Sequence, residues 1–230
     1  MFIATTFIGV RADTFTIGYP EEVNDFHNAA AAILKEAYGQ LGIQLEFVTF
    51  PSERSLVNSD EGRIDGELVR IKGLEAKYHS LLMVPVSHIK AEQMAFALDK
   101  NIGINGWDSI RNYRIAFQRG YKAAEAGTRG MDNITLTVNT SQAIDMLIYK
   151  RVDIVVANRF TGLKELADRP GNSVVMLTPA LQEDLLYHYL NSRHKDLLPK
   201  ITEILTRMKE EGHFKRIYDA FKIAPISESL

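Results

Sequence analysis

The chain has 230 residues, 46% of them hydrophobic and 24% charged, with a formal net charge of −2. That length suits one large globular domain or two small ones. The near-neutral balance excludes a global field for nucleic acid or an anionic membrane, and the absence of cysteine excludes disulfides, thiolate metal sites and cysteine nucleophiles.

Residues 1–12, MFIATTFIGVRA, are apolar from Phe2 to Val10, and Val10 and Ala12 stand where a signal peptidase would cleave after Ala12. No basic segment precedes this short run. It is expected to be the remnant of a signal peptide, with an ordinary first strand as the competing reading. No other stretch approaches the ~20 apolar residues of a membrane span.

TFTIGY (14–19) reads as a strand ended by Pro20, and NAAAAILKEAY (28–38) as a helix capped by Asn28 and ended by Gly39. IQLEFVTF (43–50) is a second strand. SERSLVNSDEG (52–62) is a short helix with Ser52 as its cap, and RIDGELV (63–69) is a third strand. This β-α-β-α-β order implies a parallel sheet covered by helices. HSLLMVPVSH (79–88) is apolar and irregular, EQMAFALD (92–99) alternates like a strand, and a helix start is expected at Trp107-Asp108.

The pattern then restarts. YRIAFQ (113–118) is a strand, RGYKAAEAG (119–127) a helix entered through Gly120, and NITLTV (133–138) a strand. TSQAIDMLIYK (140–150) is a helix capped by Thr140 or Ser141, and RVDIVVA (151–157) a buried strand. TGLKELADRPG (161–171) is a short helix and SVVMLT (173–178) a strand. LLYHYL (185–190) is one more strand. Two amphipathic helices close the chain, at about 196–211 and at 213–221, and Pro199 is tolerable in the first turn of the former.

Arg63-Ile64-Asp65 recurs as Arg151-Val152-Asp153, each time after a short helix and at the start of an apolar strand. The chain therefore reads as two α/β lobes of similar logic, 13–95 plus 185–230 and 96–184. Ligands in open α/β sheets bind outside the carboxyl ends of the strands. The candidate ligand contacts are the residues that close the strands: Tyr19, Glu53, Arg54, Glu67 and Arg70 in the first lobe. In the second they are Gly120, Tyr121 and Lys122 with Asn158 and Arg159. Arg70 can hold a carboxylate in bidentate fashion or pair with Glu67. Glu67 can receive a ligand amine, hold Arg70, or both. Glu53 can serve the helix dipole, and Arg54 can reach a cleft. The helix start at Gly120 suits an anion, with Lys122 adding charge and Tyr121 covering an apolar part. Asp65 and Asp153 are expected to be structural. The histidines show no metal-ligand spacing, and neither a metal nor a cofactor is expected.

GRIDGE before VPVSH, WDSIRNYRIAFQRG, SQAIDMLIYKRVDIVVAN and the tail LLPKITEILTRMKEEGHFKRIYDAF together resemble the bacterial extracellular solute-binding proteins of family 3, the amino-acid type. The resemblance covers about residues 13–223 and implies a two-lobe type II periplasmic-binding fold with a cleft between lobes. It implies an aromatic cleft wall at Tyr19. It also implies a ligand-carboxylate arginine near Lys77 and an ammonium-binding aspartate at position 158. Here those places hold Lys77 and Asn158, and Asn supplies no charge for an ammonium ion. The chain looks closer to a divergent branch carrying Pro51-Ser52-Glu53-Arg54 and the GE-x-x-R element.

The function so implied is periplasmic capture of a small polar ligand, amino-acid-like or an organic acid, by hinge closure for an ABC permease. A stand-alone sensor is the alternative, and a dehydratase or lyase on the same fold a further one. A monomer is expected, with no nucleic-acid partner.

Overall fold

In a computed structural model of the chain, residues 13–19 and 24–223 are described; the leader expected at 1–12 lies outside them. The described residues form two compact units, one from those up to 89 together with those from 186 onward, and the other from 90–185. The chain crosses between them at 89/90 and 185/186, where the sequence analysis places the crossings at 95/96 and 184/185.

In the first unit, β1 (Thr14–Tyr19) lies between β2 (Gln44–Thr49) and β3 (Gly66–Arg70), all parallel. The long β10 (Gln182–Asn191) runs antiparallel to β3 and to the short β4 (Leu81–Met83). Helix α1 (Asp25–Gly39) buries Ala29, Ala30, Ile33, Leu34, Ala37 and Tyr38. These positions recur with the helical period, so one face is apolar throughout. Its N-cap is Asn24, which accepts from His27 N; Asn28, the expected cap, lies one turn inside. The N-cap of helix α2 (Ser52–Asp60) is Pro51, which has no side chain to cap with; Ser52, the expected cap, is the first helical residue, and its Oγ accepts from Arg70. The helices α6 (Leu198–Glu210) and α7 (His213–Ala220) complete the unit, with Pro199 in the first turn of α6 as expected. The stretch at 192–197, assigned in part to that helix by its pattern, is instead a 3-10 segment.

The second unit repeats the plan. β6 (Ile115–Gln118) lies between β7 (Ile134–Thr137) and β8 (Ile154–Asn158), all parallel, and β5 (Ile89–Ala97) runs antiparallel to β8. The strand expected at 173–178 shrinks to β9 (Val175–Met176), beside β5. Alternate residues feed two cores. Ala95, Phe117, Ile154 and Val156 face one side, and Met94, Phe96, Val155 and Ala157 the other. This is the period of a strand buried on both faces. Helix α3 (Lys122–Gly127) packs Ala124 on the first side, and α4 (Thr140–Ile148) packs Ile144 and Leu147 on the second. The cap of α4 is Asn139, not Thr140 or Ser141. Helix α5 (Arg159–Ala167) follows β8 directly.

The repeat is sharper than three shared letters. Expected as the start of a strand, Arg63–Asp65 instead forms the turn into β3. Asp65 N donates to Thr16 O at 2.7 Å, and Asp65 Oδ2 accepts from Thr16 N at 2.7 Å. Asp153 N donates to Arg114 O at 2.8 Å, and Asp153 Oδ2 accepts from Arg114 N at 2.9 Å. In the helix-ending turn before each aspartate one residue is left-handed, Gly62 at φ 72° and Lys150 at φ 58°. Glycine takes that conformation freely; lysine does so under strain.

Two histidines are wholly buried in the first unit. His188 Nδ1 meets Glu67 O at 2.7 Å and Nε2 meets Tyr38 Oη at 2.7 Å. A carbonyl requires Nδ1–H, and because burial keeps the ring neutral, Nε2 accepts from the tyrosine. Among the described residues neither ring nitrogen of His88 has a hydrogen-bond partner of good geometry. Burial, reinforced by His188, lowers His88 to about 3, and burial lowers His188 to about 4. A depressed histidine stabilises the fold fully above its unfolded value near 6.5, and that stability is lost as the pH falls toward the folded value. Urea unfolding should therefore show a stability drop from pH 6.5 to pH 5 of up to about 2 kcal/mol per histidine. The His88→Leu variant should lose about half of the combined drop. Equal stability at the two pH values would contradict this.

Candidate functional site

In the first unit the strand ends are organised by one carboxylate. Glu67 has a relative exposure of 1%. Its Oε1 accepts from Ser55 Oγ and Ser59 Oγ, both at 2.8 Å, and its Oε2 from Arg70 Nε at 3.0 Å and Nη2 at 2.7 Å. Arg70 also donates to Ser52, to Oγ at 2.8 Å and to the carbonyl at 3.3 Å. The guanidinium thus joins β3 to the start of α2 and keeps at most one of its five N–H groups for anything else. β1 must pass very close: a Cβ on Gly18 would lie 2.3 Å from Ser55 Oγ and 2.8 Å from Glu67 Oε1. Both carboxylate oxygens of Glu67 are therefore engaged within the unit, and the pairing with Arg70 is made.

Around this frame, Tyr19 is buried; its Oη donates to Asn28 Oδ1 at 2.8 Å, its ring stands edge-on to Phe47, and burial pushes its phenol up. Glu53 is exposed and accepts from Lys77 Nζ at 2.6 Å and Tyr78 Oη at 2.8 Å, and these bonds hold its carboxyl below the usual range. Lys77, at the place where the resemblance implies an arginine, is paired with Glu53. Arg54 is exposed and has no carboxylate partner among the described residues.

In the second unit, the helix start expected to hold an anion already holds one of the chain's own. Gly120 N donates to Glu125 Oε1 at 2.8 Å, and Lys122 Nζ pairs with Glu125 Oε2 at 2.7 Å. Asn158 Oδ1 accepts from Phe160 N at 3.0 Å, so this side chain caps α5. Arg159 pairs with Glu92 at 3.2 Å, Glu92 with Lys90 at 3.7 Å, and Lys90 with Glu183 at 2.8 Å.

Beside them runs a network that the sequence analysis missed. Gln93 sits opposite Asn158 in the β5–β8 ladder. Tyr121 Oη donates to Gln93 Oε1, and Gln93 Nε2 donates to Asp184 Oδ2 at 3.0 Å. From the other side, Trp107 Nε1 donates to Gln182 Oε1 at 2.8 Å, and Gln182 Nε2 to Asp184 Oδ1 at 2.6 Å. Two donor chains converge on Asp184, each polarised toward its negative charge. Asp184 has no cationic partner among the described residues. The available signal was an acid and two amides on the strands at the two crossings, polar residues where an ordinary strand would be apolar.

Among the described residues no group of histidine, aspartate and glutamate is arranged to hold a metal ion, and no helix is long and apolar enough to cross a membrane.

Removing Glu67 should unfold the first unit's frame. Glu67→Ala leaves Arg70 and two serines unpaired and should cost about 3–5 kcal/mol in urea unfolding, while Arg54→Ala should stay within about 0.5 kcal/mol. A Glu67→Ala variant as stable as the parent would show that the ion pair is not structural.

No family model matches the chain. An uncharacterised protein of Shewanella oneidensis is 27% identical over 206 residues, covering 86% of this chain and 78% of that one. The probable amino-acid ABC transporter extracellular-binding protein YtmK of Bacillus subtilis superposes with a TM-score of 0.74 at 15% identity, over 92% of this chain and 98% of that one. A histidine kinase sensor domain similar to periplasmic binding proteins gives 0.69 at 16% identity, over 92% and 98%. At such identities the likeness speaks for architecture alone: the chain has the periplasmic-binding fold.

Proposed function

We propose that the protein is an exported, periplasmic solute-binding protein that closes its two units around a small polar ligand, amino-acid-like or an organic acid, and presents it to an ABC permease. The observation that carries this reading is the polar layer at the strand ends of the second unit. There Tyr121, Gln93 and Asp184 are held in fixed orientation where open α/β sheets take their ligands. Asp184 supplies the negative charge that Asn158 lacks, so a ligand ammonium group has a partner at this end. Arg54, exposed beside the first unit's frame and without an acid of its own among the described residues, is a cation free to meet a ligand carboxylate. The paired Glu53 and Lys77 set the rim, and Arg70 and Tyr19 serve as the frame behind it. The protein performs no chemistry in this reading: the layer holds no nucleophile beside a base. The likeness to a kinase sensor domain favours a second reading, in which the same ligand-bound form is read by a membrane sensor instead of a permease.

A thermal-shift screen of amino acids, amines, organic acids and small peptides tests the reading. A true ligand at a hundredfold excess over its Kd stabilises by about 2.7 kcal/mol, a shift of about 5–10 °C for a chain of this size. Trp107, the sole tryptophan, is wired to Asp184 through Gln182, so its emission should change on binding. Asp184→Asn should weaken an amine-bearing hit by about tenfold or more. No stabilising compound in the panel would defeat the binding reading, and consumption of a hit over time would replace it with an enzyme.

A further inference from the structure

The strand-start end of the second unit, away from the residues above, forms a half-open cavity of about 340 Å³. Leu98, Ile102, Leu147 and Val152 form apolar walls and Tyr113 an aromatic one; Arg114, Lys150, Asp153 and Asp99 bring charge.

The internal repeat shows what such a corner accommodates. Register and turn geometry equate Thr16 with Arg114, Asp65 with Asp153 and Gly62 with Lys150. Phe15 then corresponds to Tyr113, and Ile64 to Val152. In the first unit this corner is filled by the chain itself. The segment Ser192–Leu197 lays the His194 ring on Phe15, with centroids 4.2 Å apart. It also brings His194 Nε2 to Asp65 at 2.6 Å and sets Arg193 on Asp65 and on the carbonyl of Gly62. In the second unit no ring stacks on Tyr113 among the described residues. Asp153 is already satisfied by Arg114, through Nη2 at 2.7 Å and Nε at 3.0 Å. The ammonium of Lys150 has no carboxylate partner among the described residues. Lys150 moreover holds a left-handed backbone that the glycine at the equivalent turn adopts without strain.

We infer that this cavity is a second small-molecule site, for a planar aromatic acid. The ring takes the place that His194 takes over Phe15, lying against Tyr113 between Leu98, Ile102 and Val152. The carboxylate meets Lys150. The site is independent of the strand-end reading: it uses none of the same residues.

Titration of the ¹⁵N-labelled full chain with benzoate tests the inference. The expected result is saturable amide shifts confined to residues 98–102, 113–114 and 147–153, with a Kd on the order of 1 mM for so small a ligand. Benzyl alcohol and benzylamine should bind more weakly by about two- to fivefold. Lys150→Gly keeps the turn relaxed, so the protein folds while benzoate affinity falls by a similar factor. Tyr113→Ala should also weaken benzoate, and Gln93→Ala should leave it unchanged. Shifts that do not saturate, shifts centred on Gln93 and Tyr121, or unchanged affinity in Lys150→Gly would each overturn the site.

Discussion

Each unit depends on an aspartate that locks two parallel strands in register. Asp65 exchanges two hydrogen bonds with Thr16, and Asp153 does the same with Arg114. A slip of one residue in a strand would turn its apolar set to the wrong face, and these strands bury both faces. The clamp is local and polar, yet it decides which side chains reach each core. Burial alone would raise the Asp65 carboxyl; Thr16 N, Arg193 and His194 outweigh it and hold it below the usual range. Asp153 is lowered chiefly by Arg114. Both aspartates therefore stay ionised, as the clamp requires.

With the register set, the two units diverge at the other end of the same strand. Position 67 holds a buried glutamate in the first unit, and its equivalent in the second is Val155, also fully buried. The fold does not demand a charge there, because one unit builds that layer from valine. The ion pair with Arg70 thus gives orientation more than stability, since a buried pair seldom outperforms an apolar replacement. It fixes the start of α2 on β3 and with it the positions of Glu53 and Arg54. In the second unit the valine leaves the strand end to amides and Asp184, whose hydrogen bonds are directed rather than paired by charge.

The buried histidines belong to the same economy. His188 meets the carbonyl of Glu67, so the strand that carries the ion pair is held from both sides. Such a layer accepts a neutral ring and resists a charged one.

Much of this was legible in the order of residues. Helical and strand periods, Gly and Pro punctuation and the recurring Arg-x-Asp turn sufficed for two α/β lobes with parallel strands covered by helices, because these signals are local; the antiparallel pairings of β10 with β3 and of β5 with β8 were not among them. The pairing of Glu67 with Arg70 was visible as an alternative, since the two stand three residues apart on one strand. What a local pattern cannot show is a partner distant in the chain. Asn158 spends its oxygen on its own helix, Glu125 occupies the anion place at Gly120, and Lys77 is held by Glu53. Asp184 joins Gln93 across 91 residues of chain. The amino-acid sequence by itself determined the architecture, through periodicity that every segment carries internally. Tertiary structure alone decided which charged groups are already satisfied and which are not, because that depends on neighbours brought together only by folding.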